Sequence, residues 1–391
     1  VLFAAVGLVI ASGFFRPPEV AADARGEVPA ASAVLLTVAP RSDPAEAGRR
    51  ALRDRLSRNP RDEEAATALA ERCIMQARKT RDPRWLGQAQ AALGPFWSDA
   101  DPSAEVLLLR ATIRQSLHAF PEALTDLDRA TRLRADPQIE LTRATVLAIL
   151  GRFEEAREAC TKVSARLPVV GAGCTAQIEA ATGSARPAVS RLDAVLAGAG
   201  AATEEIPWLL SLRAEAHLRL GDRGAARSDL LRALAGDPQD AYSRILLQDT
   251  HIDEANEQSL AAAIALTAGH ENDDAVMLRG AIAAKRAHHP QADVFARELR
   301  EKQQAARDRG DTVHRREEAL FALHVDGDAV KALPLAEANF GVQKEPADVR
   351  LLLEAAIAAH EPLRGKPAAD FARKTKLEDP VIAALLPQVP Q

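Results

Sequence analysis

The stretch "LGDRGAARSDLLRALAGDP" (Leu220–Pro238) repeats the plan of "LGRFEEAREACTKVSARLP" (Leu150–Pro168). Both run nineteen residues, place glycine second and alanine seventh, and end on proline. Working outward from this pair gives a two-helix register. Its eighth residue is Ala or Gly, its twentieth Ala, its twenty-fourth and twenty-seventh apolar, and its thirty-second often Pro. Four consecutive blocks follow it. From Ala104 the marked positions are Ala111, Ala123, Leu127 and Ala130, and from Pro137 they are Ala144, Ala156, Cys160 and Val163. From Val169 they are Ala176, Ala188, Leu192 and Val195, and from Pro207 they are Ala214, Ala226, Leu230 and Ala233. The twentieth-position alanines lie 33, 32 and 38 residues apart.

The register has a steric cause. Residues eight and twenty face each other where the paired helices come closest, and a larger side chain would push the axes apart. Residues twenty-four and twenty-seven share one face of the second helix and are placed to bury against the next unit. Gly151, Gly183 and Gly221 fall in the turn, where a left-handed backbone favours glycine. This pattern resembles the tetratricopeptide repeat, a 34-residue helix–turn–helix unit with small residues where its helices touch. The large aromatics usual near its positions four and eleven are replaced here by Leu107, Arg114, Leu147 and His217. Through "RGDTVHRREEALFALHVDGD" and "EPADVRLLLEAA" the chain is also similar to a group of exported bacterial tetratricopeptide proteins.

The resemblance implies an all-α, right-handed superhelical solenoid of about eight antiparallel helix pairs. A first pair is expected from Glu63 to about Trp97, interrupted by a loop "RKTRDPR". Residues 45–240 would form the regular array, and 241–391 a degenerate continuation. In that continuation, pairs are expected up to Gly269, around Gly280 and Ala292, with Leu320, Ala332 and Ala336, and around Ala355 and Phe371. The charged run "RELREKQQAARDRGD" reads as an extended solvated helix.

Composition agrees. The 391 residues are 47% hydrophobic but only 4% aromatic, so the core is built mainly from Ala, Leu and Val. A net charge of −5 and the lack of basic runs interleaved with aromatics argue against a nucleic-acid partner. The basic residues are mostly Arg, which reads as ordinary surface use.

"VLFAAVGLVIASGFF" (Val1–Phe15) is uncharged and apolar, and is followed by Pro17, Pro18 and the small-x-small triplet Ala22-Asp23-Ala24. That order is the one of a secretory signal over residues 1–24, with a second possible cleavage site at Ala31-Ser32-Ala33. Membrane anchoring through the same segment is the alternative. Residues 25–44 are rich in Ala, Pro and Ser and read as a linker. A periplasmic or secreted location follows. The cysteines Cys73, Cys160 and Cys174 form no C-x-x-C spacing. Cys160 and Cys174 fall on adjacent helices and either form a disulfide or serve as small buried apolar residues.

The resemblance also places a partner groove at positions two, five, nine, twelve and thirteen of each first helix. In the four regular blocks these include Leu108, Thr112, Gln115, Leu141, Thr145, Ile149, Gln177, Trp208, Glu215 and Arg219. The groove is mixed and nearly neutral, suited to a protein or peptide helix or extended segment. It lacks the Lys/Asn/Arg clamp with which such repeats grip a chaperone's C-terminal carboxylate. His314 and Glu318, four apart and with His324 further along, have a spacing that can hold a metal, but a surface His–Glu pair is the simpler reading. His288-His289 ends an Ala-rich helix before Pro290 and suits a C-terminal cap. No nucleophile elbow, phosphate loop or dinucleotide fingerprint occurs, and "VVGAGC" (Val169–Cys174) lacks the strand and later glycine of one. The function expected is a non-enzymatic protein-binding scaffold of the bacterial envelope, needing no cofactor and no metal. A metal-handling accessory and a membrane-tethered cytoplasmic regulator are the alternatives.

Overall fold

The computed structural model describes residues 44–80, 82–198, 205–308 and 315–390. The signal-like segment, its cleavage sites, almost all of the linker and His314 lie outside the described residues. Helix α1 (Pro44–Arg58) leads into α2 (Glu63–Thr80), which pairs with α3 (Arg84–Ala92), and the one-turn α4 (Gly94–Trp97) follows. The regular blocks are α5 (Ala104–Ser116) with α6 (Phe120–Leu133), α7 (Pro137–Ile149) with α8 (Phe153–Ser164), α9 (Pro168–Ala181) with α10 (Ala185–Gly198), and α11 (Ile206–Arg219) with α12 (Arg223–Gly236). Then come α13 (Ala241–Glu254) with α14 (Glu257–Ala265) and α15 (Asp274–Arg286) with α16 (Ala292–Asp308). Next, α17 (Arg315–Phe321), which continues as a π-turn over Ala322–Asp326, pairs with α18 (Ala329–Val342). Finally, α19 (Pro346–Ala358) packs on α20 (Lys366–Thr375), and α21 (Pro380–Leu385) closes the chain. Among the described residues there is no strand, and no helix is long and apolar enough to cross a membrane.

Among the described residues the pairs number nine, matching the expected first pair, the four regular blocks and the four looser pairs after Asp240 one for one, where a total of about eight was expected. The expected loop "RKTRDPR" is shorter than its letters imply. Helix α2 runs on through Arg78 and Lys79 to Thr80, since neither residue disfavours a helix. The alanines at positions eight and twenty are sealed off from solvent: Ala111, Ala123, Ala144, Ala156, Ala176, Ala188, Ala214 and Ala226 are all 1% exposed or less. This is the small-residue contact of a tetratricopeptide-type helical solenoid.

The turn within a pair also recurs. Gly151, Gly183 and Gly221 hold φ of +73°, +70° and +79°, and the residue after each donates its N–H back five residues, to Leu147, Glu179 and His217. That is the Schellman closure, which satisfies the last carbonyls of the first helix. His118, His288 and His360 make the same turn at φ between +50° and +58°. Histidine is tolerated there more readily than bulkier side chains. The pair His288-His289 is therefore a cap through its backbone.

A second device ties first to second helix. In α5 Arg110 donates twice to Asp126 of α6, at 2.8 and 2.6 Å, and in α11 Arg213 does the same to Asp229 of α12, at 2.7 and 2.6 Å. Both pairs span positions seven and twenty-three. The two buried glycines of "VVGAGC" serve packing: a methyl at Gly171 would lie 2.4 Å from the Ser164 Cα, and one at Gly173 would lie 2.2 Å from the Trp208 ring. They let α9 approach α8 and α11 closely.

Candidate functional site

The concave wall is made of the first helices of successive pairs, and the chain folds back across it. Three turns of the regular array receive the C-terminal end in order. A methyl at Gly151 would lie 2.8 Å from the Phe371 ring, one at Gly183 2.5 Å from the Lys376 carbonyl oxygen, and one at Gly221 3.2 Å from Pro380. Phe371 sits between Phe153 and Phe340, with ring centroids 6.0 and 5.9 Å away. The Lys344 N–H donates to the Ile149 carbonyl at 2.8 Å, the Ala185 N–H donates to the Glu378 carboxylate at 3.1 Å, and Arg219 pairs with Asp379.

This closure divides the concave wall. Towards the regular array a cavity of about 60 Å³ remains, walled by Thr145 and Ile149 of α7, Gln177 of α9, Glu215 and Arg219 of α11, and Lys344, Glu345 and Pro346. Towards the C-terminal pairs lies a larger cavity of about 220 Å³. It is bounded by α11, α13, α15, α17 and α19, with Asp379, Pro380 and Val381 at one end. Its apolar wall includes Leu246, Ile282 and Leu320.

The charges in the larger cavity are largely paired. Arg350 grips Asp253 of α13 with two bonds of 2.7 Å and Glu354 with another of 2.7 Å. His324 approaches Glu354 at 3.2 Å. Burial works to raise the Glu354 pKa, but His324 and Arg350 outweigh it and hold the carboxyl at about 2. Arg316 is held by Asp348 at 2.6 and 2.8 Å and by Glu345 at 2.5 Å. Asp348 in turn caps α19 from its third position and accepts from Asn339 at 2.6 Å. The loop entering α19 is thereby locked in the position from which Glu345 and Pro346 reach the groove.

Of the ten groove residues expected from the register, Thr145, Ile149, Gln177, Glu215 and Arg219 line the smaller cavity, and Arg219 borders both. Leu108, Leu141 and Trp208 belong to the hydrophobic core instead. Thr112 is buried and donates to the Leu108 carbonyl at 2.8 Å, and Gln115 is half-buried. For Trp208 the neighbouring Gly173 leaves the room its ring fills. Cys160 and Cys174 are joined in a disulfide, with Cα atoms 5.5 Å apart, and Cys73 is a buried free thiol. Glu318 pairs with Arg307 at 3.0 Å, away from His324. Among the described residues no group of three metal-ligating side chains converges.

The sequence register missed the whole C-terminal side of both cavities. Nothing in the spacing of small residues signals that residues 344–346 and 371–381 return to pairs 150 or more residues upstream. The only trace was the glycine in three successive turns, which the backbone conformation alone already explains.

No family model matches the sequence, and no curated protein matches it. Among solved structures, a thermophilic tetratricopeptide-repeat protein of Thermus thermophilus is 19% identical, covering 47% of this chain and 95% of its own, with a TM-score of 0.38. Human IFIT1, solved as a dimer with m7Gppp-AAAA, is 11% identical over 85% of this chain and 86% of its own, with a TM-score of 0.48. Yeast Tom70 is 12% identical over 87% and 84%, with a TM-score of 0.42. These are likenesses to helical-repeat proteins at low identity, and the reading of this chain as a tetratricopeptide-type solenoid stands on its own paired helices and their small-residue contacts.

Proposed function

We propose that this chain is a non-catalytic scaffold that holds a segment of another protein against its concave wall, in the cell envelope of a bacterium. The observation that carries this reading is the larger cavity. Five successive first helices leave about 220 Å³ open there, with apolar strips between paired charges. Such a wall offers buried area to an apolar side chain and hydrogen-bonding edges to a backbone, which is what a docked helix or extended segment needs. The paired charges give no field of one sign that would favour a nucleic-acid backbone.

The envelope setting is supported by the signal-like start and by the Cys160–Cys174 disulfide, a bond that persists in oxidising compartments. The test is a photoactivatable residue at Leu246 or Leu320 in cells, with Arg132 on an exposed helix face as the control. A protein adduct from the first two sites and none from Arg132 is the expected result. Adducts of the same kind from all three sites would remove the concave wall from consideration.

A further inference from the structure

The N-terminal end of the solenoid carries basic charge that its own acids do not balance. The C-terminal half of α2 lies beside the first half of α1, close enough that a methyl at Gly48 would sit 2.2 Å from the Arg72 guanidinium. Within residues 44–53, 71–80 and 82–84 seven basic side chains stand against three acidic ones, in a chain whose net charge is −5. All three acids are already engaged. Glu46 accepts from Arg49 at 2.8 and 3.1 Å and from Arg53 at 2.5 Å, Asp82 accepts from Arg84 at 2.6 Å, and Glu71 shares a hydrogen bond with Glu105 of α5. The side chains of Arg50, Arg72, Arg78 and Lys79 have neither a hydrogen bond nor an ion pair among the described residues. Arg78 is half-buried, and burial pulls its pKa down with no carboxylate opposing the shift. Arg72, Met75 and Lys79 recur at helical spacing along one exposed stripe of α2, where Met75 is 55% exposed. The helix dipole accounts for Arg78 and Lys79 in the last turn of α2, but not for Arg72 well inside the helix or for an apolar side chain left in water between cations.

We infer that this end of the molecule docks on an anionic membrane surface, with Arg72, Arg78 and Lys79 at the lipid phosphates and Met75 entering the interface between them. Charge complementarity is the first reason. Unpaired guanidinium and ammonium groups gain charge-assisted hydrogen bonds from phosphate, and each one near an anionic leaflet strengthens partition by about fivefold. The second reason is the way the chain arrives. Residues 25–44 lead into α1, and ahead of them runs the uncharged, apolar Val1–Phe15, so a bilayer holding that run is presented to α1 and its neighbour α2 before any other pair. The third separates lipid from nucleic acid. Met75 can bury its side chain at the boundary of headgroups and acyl chains, whereas base stacking needs an open aromatic face, and the nearby Trp85 ring is covered by Arg49 at 4.8 Å. None of these residues lines either cavity, so docking here leaves the concave wall free and does not depend on the scaffold reading above.

The test uses the full chain and vesicles of phosphatidylcholine with or without phosphatidylglycerol, at low and high salt. Insertion of an apolar run is indifferent to headgroup charge and to salt, so the readout is the extra binding to the anionic vesicles. That excess is expected at low salt, should vanish at high salt, and should fall about a hundredfold in Arg72→Gln/Arg78→Gln/Lys79→Gln. Removing the same charge from exposed positions elsewhere, in Arg132→Gln/Lys285→Gln/Lys374→Gln, should leave it nearly unchanged. An environment-sensitive dye at Met75→Cys, with buried Cys73 changed to Ala, should shift to the blue on anionic vesicles, and the same dye at exposed Glu154→Cys should not. Helical circular dichroism checks each variant, and should a triple variant unfold, the dye decides alone. Equal binding to the two vesicle types, equal losses in the two triple variants, or a dye at Met75→Cys that ignores anionic vesicles would each overturn the proposal. So would binding of poly(U) that exceeds the vesicle excess and is lost in the first triple variant, which would assign the face to nucleic acid.

Discussion

At the scale of single residues, the glycines of the pair turns carry two duties that substitution can separate. Gly183 needs its left-handed backbone and also leaves room for the Lys376 carbonyl, whereas Gly269, at φ +77° in the loop between α14 and α15, has open space around it. Alanine at Gly269 should cost about 1 kcal/mol from backbone strain alone. Alanine at Gly183 should cost about 1–3 kcal/mol more, because the C-terminal backbone must move. Urea denaturation of both variants checks the difference, and equal losses would mean that the docked segment yields freely. The left-handed histidines show why this layer was half legible. Glycine announces such a turn in sequence, while His118, His288 and His360 adopt the same conformation with no comparable signal.

Within and between helices, the recurring Arg–Asp pair is the clearest energetic feature. Asp126 is buried and accepts from both Arg110 and Arg114, and Arg110 has little solvent to fall back on. Asp126→Ala leaves a buried guanidinium without its carboxylate and should lower stability by about 3–5 kcal/mol. Asp229→Ala should cost less. Arg213 is more exposed and keeps Asp193 at 2.6 Å. Comparing the two by thermal or urea denaturation tests whether burial sets the difference. The disulfide works at the same scale, by stapling α8 to α9 across 14 residues. Adding reductant should shift the unfolding free energy by about 3 kcal/mol, and a Cys160→Ala/Cys174→Ala variant should show no response to reductant. Helix pairs and their small contacts were readable because alanine recurs at fixed intervals. The seven-to-twenty-three ion pair was not, because it appears in only two of the four regular blocks and is lost among many other charges.

For the whole molecule, the surprise is long-range contact in a fold whose units ordinarily touch only their neighbours. The Ala185–Glu378 bond spans 193 residues and the Arg219–Asp379 pair spans 160. The network of Asp253, His324, Arg350 and Glu354 gathers α13, the π-turn after α17, and α19 around the larger cavity. It also gives the molecule a pH signature. The Glu354 carboxyl is held down at about 2, so its contribution to stability is present above about pH 4.5 and is lost as pH falls towards 2. Glu354→Gln should therefore lower stability at pH 7 by about 1–3 kcal/mol and flatten the acid-side slope. Urea midpoints at pH 7 and pH 3 measure both effects, and an acid slope as steep as the parent's would refute the assignment.

The one-dimensional pattern by itself determined the helix pair, its small-residue contact and the glycine turns. Each of these is a local demand, met by residues within about forty positions of one another and repeated often enough to stand out. It also placed Cys160 and Cys174 on adjacent helices. Only the tertiary structure decided which groove positions face a cavity, and that the ninth pair closes over the third, fourth and fifth. Small rotations between neighbouring units accumulate over nine pairs into a curvature that no single spacing records. Where that curvature brings distant pairs together, groups as ordinary in sequence as Arg219, Lys344 and Asp379 find partners that no spacing announces.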